Sequence, residues 1–284
     1  MNINTSLHFS LISSLLFLIL LALSTLSISG YAFSIREATM KDLQLAFKQN
    51  QLTSRQLVEF YLGEIHRLNP VLNGVIEVYA PVSLLGLHGI PVLVKDNIAT
   101  KDKMKTTAGS FGLLGSIVPR NAFVVTKLIK AGAIILGKAS LSEWAHFRGD
   151  APSGWCARSG QGKNPYVLSA DPCGSNSGSA ISVAANMAAV TLGTETDGSI
   201  FCPSNYNPVV GIKPTLTEDS FPDINRPMCK TVADAVYVLD AIVGFDRNNK
   251  ATGAASKYIP HGGYKQFLKP YGLKRKRLGI VTFY

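Results

Sequence analysis

Hydrophobic spacing predicts that the part of the chain after residue 38 opens with two helices. The first begins with a capping box formed by Thr39 and Asp42, and the second with one formed by Thr53 and Gln56. Within the second helix, apolar side chains recur at helical spacing, at Leu57, Val58, Tyr61, Leu62, Ile65 and Leu68. Pro70 is expected to end this helix, because a residue that precedes proline avoids the helical backbone region.

Strand and helix patterns alternate along the rest of the chain. Apolar runs predict strands at residues 71–80, 90–94, 133–137 and 190–193. Helical patterns lie at residues 122–131, at residues 179–190, where small residues allow close packing, and after Thr231, which is boxed with Asp234. This alternation argues for an α/β core.

Two segments have the composition of loops. Residues 100–110 form the shorter one, and residues 149–176 form a longer one that is rich in Gly, Ser, Pro and Asn. A loop as long as the second is uncommon in a compact domain, and loops of this kind are often functional.

The N-terminal segment has the pattern of a targeting sequence. An uncharged apolar run from Leu11 to Leu26 is followed by small residues. Residues 1–32 are therefore predicted to be a signal peptide, which implies the secretory pathway: an extracellular, cell-wall or vacuolar location. The alternative is an uncleaved membrane anchor, since the run approaches the length that spans a bilayer.

Composition narrows the class of protein. The chain has 284 residues, enough for one large domain or two modest ones, and 46% are hydrophobic, enough for a core. Charged residues make up 16%, which excludes a disordered polyelectrolyte. The net charge is +10, but the basic residues are dispersed except for a run at residues 274–277. We interpret that run as a solvated surface rather than a site for an anionic partner, so no nucleic acid is expected.

Four cysteines are present, at positions 156, 173, 202 and 229. In a secreted protein they could form disulfides, and four cysteines allow three pairings. At least two are expected to be buried as small hydrophobic residues. Their spacing is not that of a metal site, so no metal is expected.

Three widely separated residues carry the candidate chemistry: Lys95, Ser175 and Ser199. Lys95 closes an apolar run, and a lysine desolvated at the mouth of a core can lose its proton and act as a base. Gly198, just before Ser199, lets the backbone turn tightly and point amides at an oxyanion. A lysine and two serines can supply a base, a relay and a nucleophile without histidine.

The segments around these residues resemble the amidase signature family, which includes plant and bacterial amidases, fatty acid amide hydrolase and the A subunit of glutamyl-tRNA amidotransferase. The matching segments are GIPVLVKDNIAT, DPCGSNSGSAISVAAN, and GTETDGSI followed by VVGIKPT. The resemblance implies the amidase signature fold, a mixed twisted β-sheet flanked by helices. It also implies hydrolysis of a small-molecule amide through an acyl-enzyme, with no cofactor.

Residue roles follow from the same resemblance. Ser199 would be the nucleophile, Ser175 the bridging serine that follows a cis peptide bond, and Lys95 the base. The oxyanion hole would be formed by backbone amides, those of Thr196, Asp197, Gly198 and Ser199. No Ser-x-x-Lys, Gly-x-Ser-x-Gly or Walker pattern occurs, which disfavours other serine-lysine enzymes, α/β-hydrolases and P-loop proteins.

The chain departs from the family pattern at several positions. Asn176 replaces a usual serine, Glu195 an aspartate, Asp197 a glycine and Phe201 an arginine. The exchange at 195 and 201 is expected either to be compensated elsewhere or to loosen the turn that carries Ser199.

Residues 33–284 are predicted to form one amidase domain that is shorter than its family. Segments are expected to be missing between 80 and 87 and after Thr215, and the C-terminal LGIVTFY is expected to be a strand that lacks partners in a truncated sheet. Two alternatives to an active amidase therefore stand: a truncated, catalytically inactive amidase-like protein, and a protein like the A subunit of the amidotransferase, which the N-terminal segment argues against. The sequence does not indicate an oligomeric state.

Overall fold

A computed structural model describes residues 33–79, 89–148, 150–214, 224–277 and 279. The predicted signal peptide, the predicted shortening between 80 and 87 and, except for Gly279, the predicted C-terminal strand lie outside those residues. The chain divides into two units, Met1–Ser34 and Ile35–Tyr284, and the fold below is that of the second. Among the helices in the described ranges, none combines the length and apolar character needed to cross a bilayer.

Two helices open the second unit, α1 (Met40–Lys48) and α2 (Ser54–Leu72), and both predicted capping boxes are confirmed. The prediction that Pro70 ends α2 is wrong, because the helix continues for two further residues. The end of the helix is set by Asn73, which adopts the left-handed conformation (φ 50°) and donates its N–H to the Asn69 carbonyl at 2.9 Å. Residues 71 and 72 are thus helical, and the predicted strand begins only at Val75.

Six strands form a mixed sheet. They are β1 Val75–Val78, β2 Pro91–Lys95, β3 Ile134–Ala139, β6 Val190–Glu195, β7 Val210–Gly211 and β8 Ile224–Cys229. Their order across the sheet is β1-β3-β2-β6-β8-β7. Strand β2 pairs in parallel with β3 and β6, whereas the outer pairings are antiparallel. Every residue of β2, β3 and β6 is buried, as expected for parallel strands covered on both faces. A small separate hairpin pairs β4 (Trp155–Cys156) with β5 (Gly160–Gln161), inside the predicted long loop.

Helices cover the sheet, and one of them is completely buried. The remaining helices are α3 Phe123–Lys130, α4 Ser177–Ala184, α5 Phe201–Tyr206, α6 Val232–Ile242 and α7 Ala251–Ser256. All eight residues of α4 are buried. A Cβ at Gly178 would lie 2.4 Å from the Gly74 carbonyl and from Ser140, so only glycine permits the close packing predicted for this segment.

Sequence patterns missed α5, α7, β7, β8 and the short hairpin of β4 and β5. Strand β8 has no alternation of apolar and polar residues, and it contains Arg226 and Pro227. Arg226 is nevertheless fully buried, and its Nη1 donates to the Glu195 carbonyl at 2.6 Å. The predicted box at Thr231 is only half formed: Thr231 accepts the Asp234 N–H, but the Asp234 carboxylate accepts the Met40 N–H at 3.0 Å instead.

One disulfide joins Cys173 and Cys202, and Cys156 and Cys229 are buried free thiols. Two of the four cysteines therefore behave as buried small residues, as expected. Burial raises the pKa of the Cys229 thiol. In the described part of the chain, no three His, Cys, Asp or Glu side chains are grouped closely enough to hold a metal ion.

Candidate active site

The carboxyl ends of two parallel strands bring Lys95 and the Ser199 turn to the same edge of the sheet. Lys95 is the last residue of β2, and Ser199 lies four residues after the end of β6. Because β2 and β6 are neighbours in parallel register, their carboxyl ends meet. Ser175 reaches this edge from the loop that precedes α4, after a cis peptide bond between Gly174 and Ser175.

The three side chains form a continuous hydrogen-bonded chain. Lys95 Nζ lies 2.7 Å from Ser175 Oγ, and Ser175 Oγ lies 2.9 Å from Ser199 Oγ. Lys95 is fully buried, Ser175 is 1% exposed and Ser199 is half-buried. The amine is therefore shielded from water at one end of the chain, while the hydroxyl at the other end can be reached from solvent.

Thr194, which sequence patterns did not single out, is a further contact of the lysine. Lys95 Nζ donates to Thr194 Oγ1 at 3.0 Å and approaches the Thr194 carbonyl at 3.4 Å. Asn97 Nδ2 donates to the same threonine hydroxyl at 3.0 Å. These contacts fix the direction in which the lysine amine points. Thr194 lies one residue before the end of β6, beside the end of β2. That position was the feature of the sequence from which its contact with Lys95 could have been predicted.

Asn176 connects the strand that holds Thr194 to the turn that holds Ser199. Its Oδ1 accepts the Thr194 N–H at 3.0 Å, and its Nδ2 donates to the Thr194 carbonyl at 2.9 Å and to the Ser199 carbonyl. The Asn176 backbone N–H also donates to the Ser199 carbonyl at 3.3 Å. Asn176, which stands where the family has a serine, thus bridges the strand and the turn, and both its Oδ1 and its Nδ2 are hydrogen-bonded.

Glu195 organises the turn after β6. Its Oε1 accepts the Gly198 N–H at 2.9 Å and its Oε2 accepts the Ile200 N–H at 2.8 Å. Lys213 Nζ lies 3.2 Å from Glu195 Oε1 and supplies a nearby cation, while Phe201 is exposed. The exchange of a shorter acid for Glu195 is therefore compensated in this structure, and the turn is held at both ends.

Three of the four amides predicted for the oxyanion hole are available. The amides of Thr196, Asp197 and Ser199 have no acceptor among the described residues, whereas the Gly198 amide donates to Glu195. Gly198 has a φ of 72°, the left-handed conformation that its sequence position suggested. For Gly198 to donate to a ligand, its hydrogen bond with Glu195 would have to break.

A buried polar cluster lies directly behind Lys95. Asp96 is fully buried and accepts hydrogen bonds from the Thr107 side chain and from the Gly109 N–H. Burial raises the pKa of Asp96 despite those donors and the nearby positive charges of Lys138 and Arg158. Burial also lowers the pKa of Lys138 to about 8, against the opposing attraction of Asp96. Desolvation thus outweighs mutual attraction for both groups.

Lys138 is expected to make stability depend on pH above neutrality. Its pKa is about 8 in the folded protein against an ordinary 10.5. Below pH 8, Lys138 is protonated in the folded and in the unfolded protein, and burial of its ammonium group destabilises the fold. Between pH 8 and pH 10.5, Lys138 is protonated in the unfolded protein only. The unfolding free energy of the wild type relative to Lys138→Met should therefore rise from pH 7.5 to 10, by up to about 3 kcal/mol.

Chemical denaturation of both proteins at several pH values measures this difference. Lys130→Met is the matched control, because it removes a lysine that is exposed at the end of α3. A flat difference for Lys138→Met would contradict the assignment of the lowered pKa.

A cavity of about 940 Å³ lies beside the site rather than at it. Its walls are mainly apolar and come from α3, α6, α7 and the segment after α7, including Phe123, Leu239 and Phe267. None of the three hydrogen-bonded residues lines it, but Asn225 does, and Asn225 pairs with Thr194 in the sheet. The cavity therefore reaches the strand next to the site.

Comparison with known proteins places these segments in a defined family. The family model described as Amidase matches residues 56–284. A protein of Arabidopsis thaliana described as a probable amidase is 56% identical, over 88% of this chain and 54% of that protein. The A subunit of glutamyl-tRNA(Gln) amidotransferase from Thermoanaerobacter pseudethanolicus is 34% identical, over 86% of this chain and 53% of that protein.

Solved structures agree with the sequence relatives. The peptide amidase from Stenotrophomonas maltophilia superimposes with a TM-score of 0.71 and 45% identity, over 78% of this chain and 51% of that protein. The mixed α/β fold predicted from sequence is thereby confirmed. The chain spans about half the length of the relatives it matches.

Proposed function

The chain belongs to the amidase signature family, and on that basis we propose that it is a serine amidase that cleaves the carbon–nitrogen bond of a small amide. The observation that carries the proposal is the continuous chain of hydrogen bonds from Lys95 Nζ through Ser175 Oγ to Ser199 Oγ. The match covers about half of each relative, so activity of this span is part of the proposal.

In the proposed first step, Ser199 attacks the amide carbonyl. Its proton passes to Ser175 Oγ while the Ser175 proton passes to the neutral amine of Lys95, because each hydroxyl can both donate and accept. The proposal requires the amine of Lys95, which is fully buried, to be neutral when it accepts this proton. The lysine is thus the base, Ser175 the relay and Ser199 the nucleophile.

Backbone amides would stabilise the tetrahedral intermediate. The N–H groups of Thr196, Asp197 and Ser199 are the available donors, with Gly198 joining them if it leaves Glu195. The relay then runs in reverse: the proton taken by Lys95 returns to the departing nitrogen, which leaves as an amine or ammonia. Water enters the same relay and hydrolyses the acyl-enzyme, which releases a carboxylic acid and regenerates Ser199.

The substrate class we propose is a small carboxamide, with peptide amides as the first compounds to test. The support is the 45% identity to a protein whose name is peptide amidase. The amidotransferase alternative is supported by the 34% identity to the A subunit of such an enzyme, and glutamine is the amide that we test for it. The higher identity to a probable amidase favours hydrolysis of other amides.

A substrate panel separates these alternatives. The full chain, purified and shown to be folded by circular dichroism, is incubated with an aryl amide, a C-terminal peptide amide and L-glutamine, and released amine or ammonia is measured. Release from the first two supports the proposal. Release from glutamine alone favours the amidotransferase-like alternative, and a folded chain that cleaves none of them and reacts with no fluorophosphonate is the inactive relative.

Thr194 is expected to act as a positioning residue through Lys95. Thr194→Val keeps the shape but removes the acceptor at 3.0 Å from Nζ, so we expect kcat to fall about 10- to 100-fold with KM unchanged. Thr194→Ser retains the hydroxyl and should retain most of the activity. Steady-state kinetics of the two variants on the aryl amide test this, and an equal loss in both would point to a packing role instead.

We also propose that residues 1–32 are a signal peptide and that the protein works in the secretory pathway, with a membrane anchor as the alternative. The Cys173–Cys202 disulfide supports this location, since such bonds persist in oxidising compartments. N-terminal sequencing of the protein expressed in a eukaryotic cell decides: a chain that starts near residue 33 supports cleavage, and one that starts at Met1 supports the anchor.

A further inference from the structure

We propose that the Cys173–Cys202 disulfide is a thiol-exchange site, and that its opening by a dithiol reductant switches off the reactivity of Ser199. The proposal rests on the proposed function for its main readout. Cys173 lies two residues before Ser175, and Cys202 lies three residues after Ser199. The bond therefore ties together the two segments that carry the paired serines.

Apart from the disulfide, the segment that carries Ser175 is held by hydrogen bonds, such as that from the Ser142 N–H to the Ser175 carbonyl at 3.1 Å. Residues 162–176 contain neither helix nor strand, so no backbone ladder fixes them. On the Ser199 side, the backbone N–H and the Nδ2 of Asn176 both donate to the Ser199 carbonyl. Asn164 Nδ2 donates to the Tyr206 carbonyl at 2.7 Å, and Asn207 Nδ2 donates to the Pro172 carbonyl at 2.8 Å. The Cys173–Cys202 disulfide lies among these hydrogen bonds and is the covalent link between the two segments.

The bond is placed where a reductant can reach it. Cys173 and Cys202 are half-buried, whereas Cys156 and Cys229 are buried. In the exchange, a thiolate of the dithiol attacks one sulfur, the Cys173–Cys202 bond breaks and a mixed disulfide forms. The second thiol of the reductant then releases the protein as two free thiols, so that the dithiol is oxidised and two electrons and two protons pass to the cysteines.

The effect on chemistry follows from the distance between the serines. Transfer of the Ser199 proton requires Ser175 Oγ to stay within hydrogen-bond reach, and the two atoms are now 2.9 Å apart. With the cross-link open, hydrogen bonds alone hold the segment. A displacement of about 1 Å can lower a rate about 100-fold, which sets the size of the expected effect.

The experiment uses the full chain with Cys156→Ala and Cys229→Ala, which leaves Cys173 and Cys202 as its cysteines. The rate at which a fluorophosphonate labels Ser199 is measured before and after treatment with dithiothreitol, well below the unfolding temperature. We expect labelling to slow by about 10- to 100-fold and to recover on reoxidation. The matched control, Cys173→Ala with Cys202→Ala, should label slowly under both conditions.

Three outcomes decide the proposal. An unchanged labelling rate after thiol titration has shown the bond to be open overturns it, even if the melting temperature falls, because the bond is then only structural. Absence of labelling in both redox states is instead a failure of the proposed function. In that case, hydrogen exchange of residues 172–176 and 198–203 decides: faster exchange after reduction supports control of the site by the bond, and unchanged exchange overturns it.

Discussion

Replacement of Ser199 by alanine is expected to lower amide hydrolysis by about four orders of magnitude or more. Of the two hydroxyls in the relay, that of Ser199 is half-exposed and that of Ser175 is buried. Removal of the nucleophile from a group of residues that act together abolishes almost all of the chemical rate. Substrate binding should be unaffected, because the oxyanion donors are backbone amides. The measurement is kcat on the aryl amide, with KM as the check on binding.

Ser204→Ala is the matched control for this variant. Ser204 lies on α5, one turn beyond Ser199, and its Oγ is buried with no partner among the described residues. Its removal should leave kcat within about twofold and stability unchanged or slightly higher, because no hydrogen bond is lost. Equal activity of Ser199→Ala and Ser204→Ala would contradict the assignment of Ser199 as nucleophile.

Removal of the Lys95 amine is expected to have the second-largest effect, a loss of about three to five orders of magnitude in kcat. Lys95→Ala removes the base at 2.7 Å from Ser175 Oγ and leaves a small buried cavity. Lys95→Arg puts a permanent positive charge at this position, because a guanidinium does not give up its proton near neutral pH and therefore cannot serve as the base. Both variants should be comparably inactive.

Chemical rescue separates loss of the base from loss of the fold. Addition of a small primary amine such as methylamine should restore part of the activity of Lys95→Ala, because the amine can enter the vacated space and take up the Ser175 proton. The same amine should not help Lys95→Arg, whose side chain fills that space. Absence of rescue in a Lys95→Ala protein with wild-type circular dichroism would argue against a base at this position.

The sequence predicted the parts of the fold that have a strong local signal. Strands β2, β3 and β6 each contain a short, mainly apolar run, and the caps at Thr39 and Thr53 are short-range patterns, so both were found with nearly correct bounds. Strand β8 was missed because Arg226 and Pro227 conceal it: its pairing with β6, rather than its composition, makes it a strand. The extension of α2 past Pro70 was missed because the left-handed cap at Asn73 outweighed the proline signal.

Sequence motifs named the three residues that the structure joins by hydrogen bonds, but not the residues around them. Lys95, Ser175 and Ser199 lie in long motifs, whereas the roles of Thr194 and Asn176 depend on contacts that only the folded chain creates. Glu195 was expected either to be compensated or to loosen its turn, and only the structure shows that its longer side chain reaches two amides and Lys213. The number of cysteines left the pairing of Cys173 with Cys202 open, because that pairing depends on the fold, which brings the loop with Cys173 beside the start of α5 with Cys202.

The central claim is that Ser199 is the residue that becomes acylated. The direct measurement is mass-spectrometric mapping of the adduct formed when the folded full chain reacts with a fluorophosphonate. We expect a single adduct on the peptide that contains Ser199, absent from Ser199→Ala and retained by Ser204→Ala. A folded chain that forms no adduct, or forms it at another residue, would contradict the claim.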